Sequence, residues 1–281
     1  MQFNKKFFAV ALAVMALAGY GATAASAATL EDGWALYDSS NFSKSAEVFR
    51  SLKPIPPIAL GALCRLAITK NAISDPAADL DYCNQGVAAN DPESLVWMGI
   101  ASLDGNGRMG ITKDKTLGYG YISKAAIAGF ALANNVLCYY LYEDSDFGRA
   151  TPFCKVAAAS GLDTGLYYLA VMSIEGKGAI QDFEKGRDFA LLSASMNNYA
   201  AYMLLGNIAK SGKFGKPKDY VAAYSWYLLA GAVASETNEP QKMRDELKLD
   251  ASSIEAAQKM AATWKKTDSA KWRDLYPTSA K

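Results

Sequence analysis

The chain holds four cysteines, Cys64, Cys83, Cys138 and Cys154, and no histidine. Cysteines in this number serve a metal site, a thiol nucleophile or redox pair, or structural disulfides. The lack of histidine removes His-based triads, mixed Cys-His metal sites and the side chain that most often moves protons near neutral pH. Redox catalysis normally uses a close Cys-x-x-Cys pair with a lowered thiol pKa, and none occurs. What the cysteines do therefore turns on the elements that carry them.

Other candidate chemistry is weaker. Asp245-Glu246 lies in an ordinary charged run and reads as a solvated helix face. GNIAKSGKF, 206 to 214, has five residues between its glycines where a phosphate-binding loop has four, and Phe214 stands where a magnesium-binding hydroxyl belongs. DGNGRMGITKDK, 104 to 115, begins like a calcium loop. It has Met109 at the turn-glycine position and Lys115 in place of the bidentate glutamate. Both stretches read as turns.

Residues 1 to 27 have the form of a secretory signal peptide: MQFNKK is basic, FFAVALAVMALAG is apolar, and Ala25-Ser26-Ala27 suits cleavage. The apolar run is shorter than the roughly 20 residues of a membrane-spanning helix. With no cysteine before Cys64, lipid attachment at the cleavage site is not expected. A mature chain of about 254 residues then starts near Ala28, in the periplasm or secreted. Loss of Lys5 and Lys6 leaves 27 basic against 28 acidic residues. That balance gives no basic field for nucleic acid or an anionic membrane.

The chain repeats itself. An aromatic residue is followed sixteen positions later by an apolar one at Tyr82/Met98, Tyr121/Leu137, Phe153/Leu169 and Phe189/Leu205, with Phe49/Leu63 a shorter outlier. The residue after each apolar anchor is small: Cys64, Gly99, Cys138, Ala170 and Gly206. Eight positions after the four aromatics stand Asn90, Gly129, Gly161 and Asn197, types that tolerate the left-handed conformation ending a helix. From Tyr82 to Trp226 the period varies between 32 and 39 residues, and all of the variation lies between an apolar anchor and the next aromatic. Stacked αα-hairpins behave this way, since packed faces fix one spacing while surface turns accept insertions. Apolar residues recurring at three and four, as in Val221, Tyr224 and Leu228, argue against strands.

This register places the cysteines. Cys64 and Cys138 share the small column of a first helix, and Cys83 and Cys154 follow the aromatic of a second. Residues equidistant from the turn of an antiparallel hairpin come level. Of the three possible connectivities, 64–83 with 138–154 is the one local to single hairpins. In an oxidising compartment each bridge contributes on the order of 3 kcal/mol.

The pattern resembles the Sel1-like repeat family, relatives of tetratricopeptide repeats, over roughly residues 58 to 234. The resemblance rests on Leu205-Gly206, the Gly212 to Gly215 turn, Lys218-Asp219, Ala223-x-x-Trp226 and Ala230. Met98-Gly99, Gly105-x-Gly107, Lys113-Asp114, Lys124-Ala125-Ala126, Gly176-x-Gly178 and Gln181-Asp182 echo them. The 131 to 161 unit departs most, with a short turn lacking Gly-x-Gly. Cysteine-rich secreted relatives also staple their helix pairs, usually at shorter spacing. The expected layout is a signal peptide at 1–27, a tetratricopeptide-like hairpin at 28–56 and repeats at 57–234. Capping helices and a tail follow at 235–281, with Asp250 starting a helix whose Ile254, Ala257, Met260 and Trp264 share one face.

The resemblance implies an all-α solenoid whose first helices line an inner surface that binds proteins or peptides. In the tetratricopeptide register the inward residues are Arg65, Asn135, Tyr139, Tyr142, Glu143, Tyr167, Glu175, Asn207 and Lys210. Tyrosine suits such a surface, with large apolar area and a polar tip, and suits packing between repeats equally well. Some relatives are discussed as penicillin-interacting. No serine here has a lysine three residues later, however, and the threonine versions, Thr112/Lys115 and Thr263/Lys266, fall in a turn and on the capping helix. The expectation is a non-enzymatic periplasmic adaptor or regulator with a protein or peptide partner, no cofactor and no metal. An immunity protein against a periplasm-delivered toxin and a cell-wall-acting enzyme are the alternatives.

Overall fold

The computed structural model describes residues 28–70, 75–212, 217–234 and 238–264. The expected signal peptide, residues 213 to 216 of one expected turn, and the tail from 265 with Lys266 lie outside the described residues. Among the described residues the regular elements are helices: α1 (Leu30–Asp38), α2 (Phe42–Ser51), α3 (Pro57–Lys70), α4 (Pro76–Ala88), α5 (Pro92–Asp104), α6 (Lys115–Ile127), α7 (Ala131–Glu143), α8 (Phe147–Ala159), α9 (Asp163–Glu175), α10 (Phe183–Ser195), α11 (Tyr199–Ser211), α12 (Tyr220–Val233), α13 (Glu239–Leu247) and α14 (Ala251–Thr263). Each odd-numbered helix through α11 packs on the next as an αα-hairpin, and α13 and α14 both pack on α12. Two compact units meet in sequence between Ala128 and Gly129, the first carrying α1 to α6 and the second α7 to α14.

Aspartate starts the second helix of each repeat hairpin. Asp75, Asp114, Asp146, Asp182 and Asp219 cap α4, α6, α8, α10 and α12, each accepting a backbone N–H of the first turn. Such a cap satisfies an orphan donor at the positive end of the helix dipole and contributes about 1 kcal/mol. Three of these residues also close their hairpin through the main chain. The N–H groups of Asp114, Asp182 and Asp219 donate to the carbonyls of Ser102, Ser173 and Ala209 at 2.7, 2.8 and 2.9 Å. The Lys-Asp and Gln-Asp pairs in the sequence thus mark where the chain turns back.

The exits from the helices follow the expected column, with φ of 58° at Asn90, 83° at Gly129, 78° at Gly161 and 64° at Asn197. At Asn90 the next N–H, of Asp91, reaches back to the Gly86 carbonyl and that of Asn90 itself to Val87, pairing carbonyls the helix end would leave bare. Ser40 and Ser145 take the same conformation, at 63° and 61°. They make the tight turns after α1 and α7, which explains how the 131 to 161 unit turns without Gly-x-Gly.

Every apolar anchor is buried: Leu63, Met98, Leu137, Leu169 and Leu205. At four of these five levels the small residue meets the residue after the aromatic of the partner helix. Cys64 is bonded to Cys83 and Cys138 to Cys154, with Cα atoms 4.7 and 4.8 Å apart. Gly99 lies against Ile122, and Gly206 lies against the Tyr227 ring, where a Cβ would come within 2.6 Å of a ring carbon.

Two features differ from the expectation. Asp250 caps α14 and Ala257 is buried with Ile254 beside it, and Trp264 meets Trp226 edge-on at 4.8 Å. Met260, however, is 46 % exposed and off that face. The 105 to 114 turn is also more than a connection. It buries Met109 against Cys64, Cys83, Trp97 and Met98, and it sends Arg108 onto the buried Asp79 carboxylate and the Ala67 carbonyl, clasping the preceding hairpin.

Candidate partner-binding site

In the first unit, Arg65 on α3 is held from three sides. Its guanidinium lies 4.1 Å from the Tyr37 ring centroid and 5.2 Å from that of Trp34, and it pairs with Glu93 of α5 at 3.1 Å. The two charged side chains are only 23 % and 14 % exposed. Burial pushes the Glu93 carboxyl up, Arg65 pulls it down, and neighbouring Asp91, itself raised by burial, pushes it up again. Arg65, which the tetratricopeptide register places on the inner binding surface, therefore ties α1, α3 and α5 together. Cation–π contact with a partly desolvated ion pair is worth on the order of 1 to 2 kcal/mol to that junction.

The second unit gathers its predicted residues more tightly. Tyr139 and Tyr142 stand three apart on α7, and Tyr167 lies on α9, which packs against α7. All three are half-buried. The ring that joins them is Tyr168, which the register passed over. It is 8 % exposed, with its centroid 4.8 Å from Tyr142, 5.1 Å from Tyr167 and 6.0 Å from Tyr139. Edge-on and tilted contacts at these distances each add about 0.5 to 1.5 kcal/mol beyond area burial. Tyrosines therefore serve here as both packing and surface.

At the C-terminal ends of these helices, Glu143 and Glu175 are exposed. Glu175 pairs with Lys177 at 2.7 Å, and the Lys177 ammonium lies 5.4 Å from the Tyr142 centroid and 5.2 Å from that of Phe147. The phenols feel both carboxylates. Burial raises Tyr142 and Tyr167 above the ordinary value, and Glu143 and Glu175 push both further, while Lys177 pulls Tyr142 back. Tyr168 is raised most, chiefly by burial.

The remaining predicted residues divide. Asn135 is only 4 % exposed, so it is part of the interior and not of the displayed surface. Its position four residues before Tyr139 aligns it with the tyrosine stripe, but that end of α7 is covered. Asn207 is exposed yet accepts the Tyr227 hydroxyl at 2.8 Å, and Lys210 reaches across to Glu246 of α13 at 3.0 Å. Those two hold α11 to α12 and α13. Among the described residues no group of three metal-ligating side chains forms a cluster, and no helix is long and apolar enough to cross a membrane.

No protein-family model matches the chain, and no curated protein matches it. Solved structures do. A protective antigen present in uropathogenic Escherichia coli strains, displaying an SLR fold, superposes with a TM-score of 0.71 at 20 % identity over 90 % of this chain. This chain spans 56 % of that antigen's length. A Sel1 repeat protein from Oxalobacter formigenes superposes with a TM-score of 0.65 at 18 % identity, covering 83 % of this chain and 99 % of that one. With hairpins in the expected register and these two superpositions, the chain is an all-α repeat solenoid of the Sel1-like fold.

Proposed function

We propose that the chain is a non-enzymatic interaction scaffold that holds a protein or peptide against the tyrosine-lined face of α7 and α9, in an oxidising compartment outside the cytoplasm. One observation carries the reading: Tyr139, Tyr142 and Tyr167, from two adjacent first helices, are half-exposed around the buried Tyr168. A rigid aromatic cluster with polar tips gives a partner large contact area at little entropic cost, the property that enriches tyrosine at interface hot spots. The two disulfides support the compartment, since such bonds persist where thiols are not kept reduced. A neighbour of the same fold being a protective antigen is in keeping with it.

The test is an affinity pull-down from host envelope extract with wild-type protein and a Tyr139→Ala/Tyr142→Ala/Tyr167→Ala variant of unchanged helicity. A partner retained by wild type and lost from the variant is the expected result. Equal recovery by both would move binding away from α7 and α9.

A further inference from the structure

Among the described residues, two seats bring a cation onto aromatic rings and a carboxylate, and they differ in accessibility. In the first unit Arg65 fills the seat made by Tyr37, Trp34 and Glu93 and is largely enclosed. In the second, Lys177 rests over Tyr142 and Phe147 against Glu175, with the two charged side chains 40 % and 45 % exposed. Lys177 comes from the turn directly after α9, two residues beyond Glu175, so it is a local occupant reaching back onto the face. The exposed Glu143 adds a second carboxylate at the same edge, and both act on the phenols of Tyr142 and Tyr167. Among the described residues, Lys177 is the one ammonium recorded against these two rings and Glu175, with Glu143 a second carboxylate beside them.

We propose that the Tyr142–Phe147–Glu175 seat receives one lysine or arginine side chain of an extended partner segment, and that Lys177 is its resident stand-in, displaced on binding. This inference rests on the scaffold reading and assigns the chemistry of its partner. The physics favours exchange. An exposed ion pair is worth little to stability, so swinging Lys177 into water costs little. A partner's cation regains the same ring faces and carboxylate and also meets Glu143. The enclosed Arg65 seat has no such exchange, because leaving it would strip a partly buried Glu93 of its counter-charge.

The experiment titrates full-length disulfide-bonded protein with a synthetic peptide of alternating glycine and lysine, and separately with its glycine–glutamate counterpart, following the ring resonances of Tyr142 and Phe147 by NMR. The lysine peptide is expected to shift both rings and the glutamate peptide neither. Lys177→Ala empties the seat and is expected to tighten binding about two- to five-fold, whereas Lys177→Arg keeps it filled and leaves affinity near wild type. Glu175→Gln is expected to weaken binding by a similar factor. A Lys177→Ala variant that binds no tighter than wild type, or shifts produced equally by both peptides, overturns the proposal. A partner captured through the tyrosines yet indifferent to Lys177→Ala and Glu175→Gln would leave the scaffold intact and remove this seat from its mechanism.

Discussion

The hairpins α3–α4 and α7–α8 hold their two helices together at the repeat's closest approach with a disulfide, and α5–α6 and α11–α12 do it with a glycine against a large side chain. In each case the first residue follows the apolar anchor and the second follows the aromatic. Gly99 with Ile122 and Gly206 with Tyr227 fill the space by shape, and the cysteine pairs fill it with a bond. The α9–α10 hairpin uses a third answer, with Ala170 and Ala190 both buried at those positions. One geometric requirement, that two helices approach closely at one level, is met by any pair whose combined size fits. Repeats can therefore diverge in sequence while keeping one packing.

The largest effect is expected where the solution is covalent. Replacing a bridge with the pair that α9–α10 already uses, Cys138→Ala/Cys154→Ala, should lower unfolding stability by about 3 kcal/mol, read from urea midpoints. The fold should survive, because buried alanines occupy the corresponding positions of α9–α10. A loss under about 1 kcal/mol would mean that shape alone suffices there, as it does in α5–α6.

Exchange between the noncovalent solutions is the next test. Gly99→Ala puts a methyl into Ile122 and against the Gly118 carbonyl, and Ile122→Ala leaves a void, each costing about 1 to 4 kcal/mol. The double variant copies the alanine pair and should cost less than the sum of the singles by at least about 0.5 kcal/mol in a double-mutant cycle. Strict additivity would break the idea of interchangeable solutions.

A smaller effect separates stapled from unstapled turns. Asp182 Oδ1 accepts the Lys185 N–H at 3.0 Å and the Asp182 N–H donates to Ser173, in a hairpin with no bridge. Asp146 makes the longer 3.3 Å cap in a stapled one. Asp182→Ala should cost about 1 kcal/mol by chemical denaturation and Asp146→Ala less.

Alkali reaches the glycine–tyrosine solution, with Tyr227→Phe separating its share from that of the other buried phenols. Burial, with Glu246 and Glu239 nearby, raises the Tyr227 phenol to about 12. Because the folded value exceeds the unfolded one, the stability linked to this phenol is fully present below pH 10 and lost as pH rises through about 12. Fluorescence of the Trp226–Trp264 pair should report loosening of α12 in that window, and Tyr227→Phe should abolish this share of the alkaline response.

What the sequence disclosed follows from the same logic. The small column, the left-handed column, the Asp caps as Lys-Asp or Gln-Asp pairs, and the cysteine pairing all depend on spacing within one hairpin, and spacing is written in the chain. Tyr168, Lys177 and the Arg108–Asp79 clasp depend on how one hairpin is rotated on the next. Tyr167 and Tyr168 are adjacent and chemically equal, yet α7 buries one and leaves the other half-exposed. The register puts Asn135 on the inner binding surface because it takes no account of how deeply that stretch of α7 is covered. Arg65 fits the inward column, and nothing in the sequence brings Trp34, Tyr37 and Glu93 around it. A lysine two residues past a helix-ending glutamate, with aromatic residues about one repeat earlier on the preceding hairpin, is the sequence signal that points to Lys177.

Whether a partner sits on the α7–α9 face is decided by site-specific photocrosslinking in host cells. A photoreactive amino acid is placed at Tyr167 on that face and, separately, at Val156, which is exposed on the second helix α8. One discrete adduct from position 167 and none from 156 is the expected result. An adduct from 156 alone, or none from 167 while a partner still co-purifies, would contradict it.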